Sequence, residues 1–402
     1  MQDGSDVTVP ELFIDKRVAM LTNVLLRHNV VVLEALDPWV REMRTFLSTQ
    51  KETERKQSAD WGSLDVVVQK SFKWARSFTN VHGYRDISHI QVPYDTLAQL
   101  WRYQPDVVVT GQFGGRTIFA TIYKLLRPKT RLVIWATLSQ RTEATRGKLL
   151  VSLRKAVLKH ADACFTHGPD AEAYLRQLGF AGPVFYAPYV IESNLYEGES
   201  LVPNDGITRL LYTGQFIPRK GLYPFTQALC EWCLKHPDRQ IIFRLGGEGP
   251  EQERLENLTL PKNVRIEFLG HLDGEGMTLA LRSNSIYVFP TLGDEWGMVV
   301  NEALSAGLPV LASEHAQASE RLIREGSNGW LFDPTCPESL ASSLDRALST
   351  DHETLGQMAQ NARRSVESWT PTAIAKAMAS ALLIISESVS VQGTADELNV
   401  SR

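Results

Sequence analysis

Short runs rich in Val, Ile and Leu recur along the chain, separated by longer stretches with helical spacing, and this alternation constrains the fold more than any other feature. It is the signature of parallel α/β layers. In the first half it predicts strands at NVVVLEA from Asn29, DVVVTG from Asp106, RLVIWAT from Arg131, ADACFTH from Ala161 and VFYAPY from Val184, after a weaker first strand near Val7. In the second half it predicts RLLYTG from Arg209, IIFRLG from Ile241, VRIEFLG from Val264, SIYVFP from Ser285, VLAS from Val310 and GWLF from Gly329. Runs this continuously apolar suit parallel strands buried on both faces. Each set builds one doubly wound sheet, so the expected architecture is two Rossmann-like domains. They should face a central cleft at the carboxyl ends of their strands, where open α/β sheets bind ligands. A length of 402 residues agrees with two cores of about 150–200 residues each.

The polar stretch YEGESLVPNDGITR, residues 196–209, reads as a linker between an N-terminal domain, 1–198, and a second domain, 205–369. Residues 45–100 are the least readable, and the tail from Val391 is expected to be disordered. There is no run of 18 apolar residues, so no membrane-spanning helix is expected. MQDGSDVTVPELF has neither a basic nor an apolar leader segment, so no secretory signal is expected. Four sparse cysteines fit a reducing compartment. Cys230 and Cys233 form a C-x-x-C inside a helical pattern without a second ligand pair, and buried helix thiols fit better there than a metal or redox site.

The net charge of −4 conceals an asymmetry: residues 1–198 hold 25 Lys/Arg against 20 Asp/Glu, and the remainder 17 against 26. Within the basic half, residues 141–160 (RTEATRGKLLVSLRKAVLKH) carry six cations against one acid, interleaved with leucines. Such a helix can lie on an anionic membrane surface, although a solvated basic face is the reading favoured by residues alone. With a net negative chain and no basic stripe interleaved with aromatics, nucleic acid is excluded as a partner.

Three constellations carry chemistry. TGQFIPRKG, 213–221, sits where a strand meets a helix: Gly214 permits a tight turn, and Arg219 and Lys220 place two cations at a helix start that already attracts anions. Cations are disfavoured at that end, so the pair suits a pyrophosphate, or else is solvated. LGGEGPE, 245–251, brings Gly246, Gly247 and Gly249, which let backbone approach a ligand closely, or make an ordinary turn. It is not G-x-G-x-x-G, which disfavours a dinucleotide dehydrogenase. FPTLGDEWGMVVNEALSAGLPVLAS, 289–313, ends a strand at Pro290 and opens a helix of about ten residues that Gly307 stops. Its start offers N–H groups at Trp296, Gly297 and Met298. Asp294 before the helix and Glu302 in its second turn could take a sugar ring and ribose hydroxyls, or be an N-cap and an exposed helix acid.

Taken in order along one sheet, these segments resemble the family-four glycosyltransferases, which are retaining enzymes of the GT-B fold. TGQFIPRKG, LGGEGPE, FLGHLDGE (268–275), YVFPTLGDEWGMVVNEALSAGLPVLAS (287–313) and GSNGWLFDP (326–334) carry the resemblance, strongly over about 205–370 and thinly over 1–160. SWTPTAIAKAMASALLII, 368–385, is similar to the family's closing helix, so a helix over about 370–388 should cross back to the N-terminal domain. The resemblance implies a nucleotide-diphosphate sugar as donor, with no cofactor and no metal; there is no D-x-D. The family's E-x7-E maps onto Asp294, which would contact the transferred sugar, and Glu302, which would bind the ribose. Lys220, with Arg219, would stabilise the leaving pyrophosphate. The donor-binding set is completed by Gly214, Gln215, Gly246, Gly247, Glu248, His271, Glu295, Trp296, Gly297, Met298 and Val299.

Departures are visible too. The first acid is Asp294, one methylene shorter than the family's Glu, unless Glu295 takes its role, and Gln215 stands where the family often has Arg. The family's glycine-rich loop after the first strand is missing, and WATLSQRTE, 135–143, occupies the place where its N-domain His would stand. The loop GQFGGR, with Gln112, Gly114, Gly115 and Arg116, is the candidate acceptor contact or a simple glycine turn. The implied function is transfer of a sugar to a glycan or lipid-linked glycan, in the cytoplasm or peripherally at the inner face of the membrane. The competing readings are a non-catalytic nucleotide-sugar-binding partner subunit and a sugar-nucleotide epimerase or phosphorylase of the same fold.

Overall fold

The computed structural model describes residues 12–50, 60–79, 85–143, 147–196, 198–200, 202–203 and 205–387. The expected strand near Val7 and the tail from Val391 lie outside them. The chain forms two compact units: one holds most residues up to Tyr189 together with the helix from Pro371, and the other is built from Val190–Thr370.

In the first unit the strands are β1 (Ile14–Thr22), β2 (Val40–Leu47), β3 (Val66–Val68), β6 (Val107–Gly111), β7 (Arg131–Trp135), β8 (Ala163–Thr166) and β9 (Val184–Tyr186), with a separate ribbon of β4 (Ser71–Thr79) and β5 (Arg85–Pro93). The sheet order is β3-β2-β1-β6-β7-β8-β9, every neighbour parallel. Its helices are α1 (Arg27–Leu36), α2 (Thr96–Tyr103), α3 (Gly115–Leu126), α4 (Gln140–Glu143), α5 (Lys148–Leu158) and α6 (Pro169–Gln177). The second unit has β10 (Ile207–Thr213), β11 (Gln240–Gly246), β12 (Val264–Gly270), β13 (Ile286–Phe289), β14 (Val310–Ser313) and β15 (Gly329–Phe332), in the order β12-β11-β10-β13-β14-β15, again parallel throughout. Its helices are α7 (Leu222–Lys235), α8 (Gln252–Glu256), α9 (Gly274–Arg282), α10 (Met298–Ser305), α11 (Gln317–Leu322), α12 (Pro337–Ser349) and α13 (His352–Val366), and α14 (Pro371–Glu387) returns to the first unit.

The second sheet has the Rossmann order, and each strand stands where its apolar run predicts. Leu210, Tyr212, Phe225, Phe243, Ile286, Val288 and Phe332 fill its core. The first unit corrects one expectation. NVVVLEA is not a strand but most of α1, with Val30, Val31, Val32, Leu33 and Leu36 buried under α14. A helix buried around much of its circumference is as continuously apolar as a buried strand, and three successive valines tipped the reading. The central strand is instead β1, whose Ile14-Asp-Lys-Arg start hides it: only Val18–Leu21 form an apolar run, paired on one side with Met43–Phe46 and on the other with Val107–Thr110. Its polar start is spent on partners, Arg17 pairing with Glu42 at 3.1 Å while its N–H donates to Asp106 at 2.8 Å.

Residues 352–387 are apolar enough in part to meet a length-and-composition test for a membrane span. They are two helices, however, and α14 buries Ala375, Met378, Ala379, Leu382 and Ile385 against α1, β1 and β9, as a core helix does. Cys230 and Cys233 are buried free thiols in α7.

Candidate active site

β10 and β13 are neighbours in the second sheet although β11 and β12 separate them in sequence, so the strand order reverses between them. Helices on either side of such a reversal leave room for a ligand at the carboxyl ends of the strands. The loop after β10 carries Gly214–Gly221 and the loop after β13 carries Pro290–Gly297. The backbone laces them together: Leu292 N–H donates to Arg219 O at 2.8 Å, and Arg219 Nη1 donates to Gly293 O at 2.8 Å. Gly221, at φ 65°, permits this approach, because a Cβ there would stand 2.0 Å from Pro290 O.

The lacing brings the three catalytic candidates together. Arg219 Nη1 lies 2.9 Å from one oxygen of Asp294, and Lys220 Nζ lies 2.7 Å from the other. The side chains are largely buried, 32% exposed for Arg219, 18% for Lys220 and 15% for Asp294. Burial alone would raise the Asp294 pKa, but Lys220 and then Arg219 outweigh it and hold the carboxyl below its usual range. Two cations thus meet on one carboxylate close to the start of the 14-residue α7, whose first N–H groups attract anions. A second anion is the natural complement. Asp294 meets both cations, and the Glu295 backbone oxygen accepts from Gln317 at 2.7 Å.

The glycine loops adjoin this centre. Gly214 N–H donates to Gly246 O at 2.9 Å and Gly247 N–H to Gly270 O at 2.7 Å, so the ends of β10, β11 and β12 form one layer. Gln215, Glu248 and His271 are exposed on it. Helix α10 begins at Met298 after Gly297, whose φ of 103° packs its backbone where a Cβ would be 2.7 Å from the Phe289 ring. The first N–H groups of α10, at Met298 and Val299, have no carbonyl one turn back to bond. The Trp296 side chain turns inward, its indole N–H donating to Asn301 at 2.8 Å and its ring stacking on Trp369.

Glu302, one turn into α10, receives a hydrogen bond from Tyr196 Oη at 3.3 Å. Burial pushes its pKa up to about 7, against the lowering effect of that bond. Tyr196 escaped the sequence reading because it lies in the polar stretch taken as a linker; an aromatic ring in such a stretch was the available signal. Glu314, His315 and Asp333 also cluster within 4.8 Å of one another, a spacing that could hold a metal ion. Their visible work is under the Asp294 loop: His315 O accepts from Asp294 N–H at 3.0 Å, and Asp333 accepts from both N–H and Oγ1 of Thr335.

In the first unit the corresponding reversal lies between β1 and β6. Gln112 takes φ 60° and hydrogen-bonds Thr137, Gly114 caps α3, and Gly115 packs on Val92. Arg116 is 6% exposed and donates to neutral oxygens, Gly111 O at 3.1 Å and Asn23 Oδ1 at 3.4 Å; burial lowers its pKa to about 10. Gln112, Gly114, Gly115 and Arg116 are thus one braced turn. On α5, Arg154 points inward to a buried ion pair with Glu143 at 2.6 Å, while Lys148, Leu149, Leu153, Lys155 and Lys159 face outward.

Two parallel-sheet Rossmann-like units, with a cationic centre at the strand reversal of the second, define the GT-B class. Residues 198–365 match the family described as glycosyl transferases group 1. A phosphatidyl-myo-inositol mannosyltransferase of Mycolicibacterium smegmatis is 33% identical over 165 residues, 40% of this chain and 41% of that one. A sulfoquinovosyl transferase of Arabidopsis thaliana is 34% identical over 137 residues, 34% of this chain and 26% of that one. The chain thus spans well under half the length of the curated relatives it matches. Among solved structures, Anabaena HepE in complex with UDP superposes with TM-score 0.67 at 16% identity, covering 91% of this chain and 99% of that one. Sucrose-phosphate synthase from Thermosynechococcus elongatus gives 0.65 at 20% identity, covering 91% and 98%. These likenesses show a shared fold.

Proposed function

We propose that the protein is a retaining, metal-independent glycosyltransferase that takes a sugar from a nucleotide-diphosphate donor. The observation that carries this reading is the Arg219–Lys220–Asp294 centre, which gathers two cations at the β10/β13 reversal. The donor diphosphate lies against this pair, with Arg219 and Lys220 supplying what a divalent cation would otherwise supply. Asp294, fixed by both cations, offers its carboxylate to hydroxyls of the transferred sugar. Gly297 and Met298 offer backbone N–H groups, and Glu302 accepts the ribose hydroxyls. The acceptor hydroxyl attacks the anomeric carbon on the face from which the diphosphate leaves. The carbon–oxygen bond to the β-phosphate breaks as the new glycosidic bond forms, and the acceptor's proton passes to the departing phosphate oxygen. A relative in fold was solved with UDP, which supports a uridine donor as the first to try.

The acceptor side rests on less: the Gln112–Arg116 turn, and the outer face of α5. Leu149 is 86% exposed there, among Lys148, Lys155 and Lys159. Leucine flanked by lysines suits an anionic lipid surface, which favours a lipid-linked acceptor and a place at the inner face of the membrane. The same donor site would serve a subunit that binds the nucleotide sugar without turning it over, a reading to which Gln215 lends support.

Thermal unfolding with UDP, GDP, ADP, TDP and their sugars tests the donor site. One base family at about 100 times its Kd should stabilise the protein by about 2.7 kcal/mol. Lys220→Ala and Glu302→Ala should abolish the shift. No shift with any of them would remove the reading, and a shift without sugar transfer to any lipid or glycan acceptor would favour the binding subunit.

A further inference from the structure

We infer that Tyr196 is a positioning residue for the donor ribose: its phenol holds the Glu302 carboxylate in the orientation that accepts the ribose hydroxyls. This rests on the role proposed above for Glu302. The segment that delivers Tyr196 is pinned on both sides. It forms a 3-10 turn, Ser193–Tyr196, whose Leu195 carbonyl accepts from Thr278 on α9 at 3.3 Å. Just beyond, Arg282 at the end of α9 donates to Glu199 O at 3.0 Å. Arg363 on α13 donates to Gly198 O at 2.8 Å and to Ala306 O, where α10 ends, at 3.0 Å. Three hydrogen bonds from two helices thus hold the chain on both sides of one tyrosine, more than a spacer between domains needs.

The chemistry of the pair suits the task. A carboxylate has about four lone-pair sites, and a single phenol fills one of them on Oε1, leaving the rest for vicinal hydroxyls. An Arg or Lys in its place would close a salt bridge with which the ribose must compete. Tyr196 instead supplies one neutral donor and leaves the negative charge to the ligand. Its own proton is held firmly, because burial and then the neighbouring Glu302 charge raise its pKa far above the usual range, so it remains a donor at any working pH. Without it, the half-buried Glu302 would lose the bond that opposes its protonation, and a protonated carboxyl would offer the ribose a hydroxyl in place of one of its acceptors.

The test uses the full chain and whichever of UDP, GDP or ADP binds best, beside its 2′,3′-dideoxy analogue. Dissociation constants are measured for the wild type, Tyr196→Phe, Glu302→Gln and the double variant. The expected result is a loss of about ten-fold in ribonucleotide affinity for Tyr196→Phe, the scale of one hydrogen bond to a charged group. Dideoxynucleotide affinity should not change, which also certifies the fold, and the double variant should be no worse than Glu302→Gln alone. With the nucleotide sugar, the change should fall in KM rather than kcat. Equal loss toward both ligands, or no loss, would overturn the role of Tyr196 while leaving the donor site intact. A wild type that binds ribo- and dideoxynucleotides equally would remove the role of Glu302 and this inference with it.

Discussion

The two strand reversals of this molecule present the same topology and different chemistry. Between β10 and β13, two cations meet on one carboxylate. Between β1 and β6, Arg116 donates to the carbonyl of its own turn and to Asn23. Both lie at the start of a helix that follows a parallel strand, and both follow a glycine-bearing loop. The difference is the partner: a carboxylate shared by two cations at the second reversal, and neutral oxygens of the protein itself at the first.

The largest way to break this contrast is to remove charge at the second reversal. Lys220→Ala should lower kcat/KM for sugar transfer by about 10²–10³-fold, the cost of one preorganised donor to a developing anion. Steady-state kinetics measures it, and a loss under ten-fold would mean that the cation pair serves structure. Arg116→Gln is the matching change at the first reversal. It should destabilise the unit by about 1–3 kcal/mol, since buried carbonyl and amide oxygens lose their donor. Nucleotide affinity should be unchanged, as denaturant melts and titration calorimetry can show together.

The next effect depends on pH. Glu302 is held at about 7 while Asp294 stays below the ordinary carboxylate range, so Glu302 alone of the two acids changes state near neutrality. Glu302 accepts ribose hydroxyls when ionised, so donor affinity should be full above pH 7 and fall about ten-fold per unit below it. A nucleotide sugar is the right probe, because its diphosphate does not titrate in this window. Glu302→Gln should flatten that limb, and a wild-type profile that is flat from pH 5 to 8 would contradict it. The sign for the empty protein is opposite: a raised folded-state pKa on an acid favours the folded state at low pH, and that advantage is lost as pH rises toward about 7.

The smallest effect concerns α5. Leu149→Asp should weaken binding to vesicles of anionic phospholipid about ten-fold, as sedimentation would show, because one exposed leucine contributes about 1–2 kcal/mol to burial in an acyl layer.

The same contrast explains what could be read in the sequence. The second unit was legible because its strands are buried apolar runs in chain order and its site is local: Arg219 and Lys220 fall in one loop, Asp294 and Glu302 in one strand-to-helix segment. The first unit hid its central strand, since Asp15, Lys16 and Arg17 occupy the start of β1 and show no apolar period, while the valines that look like a strand cover α1. Residues 45–100 hold the three-residue β3 and a ribbon too irregular to announce themselves. Tyr196 was harder to read for another reason: beyond an aromatic ring in a polar stretch, its meaning lies in a contact 106 positions away.

The central claim is that the nucleotide diphosphate sits on the β10/β13 reversal. Amide hydrogen exchange with and without saturating nucleotide diphosphate tests it most directly. Protection confined to residues 213–221, 245–250 and 294–302, lost in Lys220→Ala, is the predicted result. Binding that leaves those amides unchanged and protects residues 111–116 instead would contradict it.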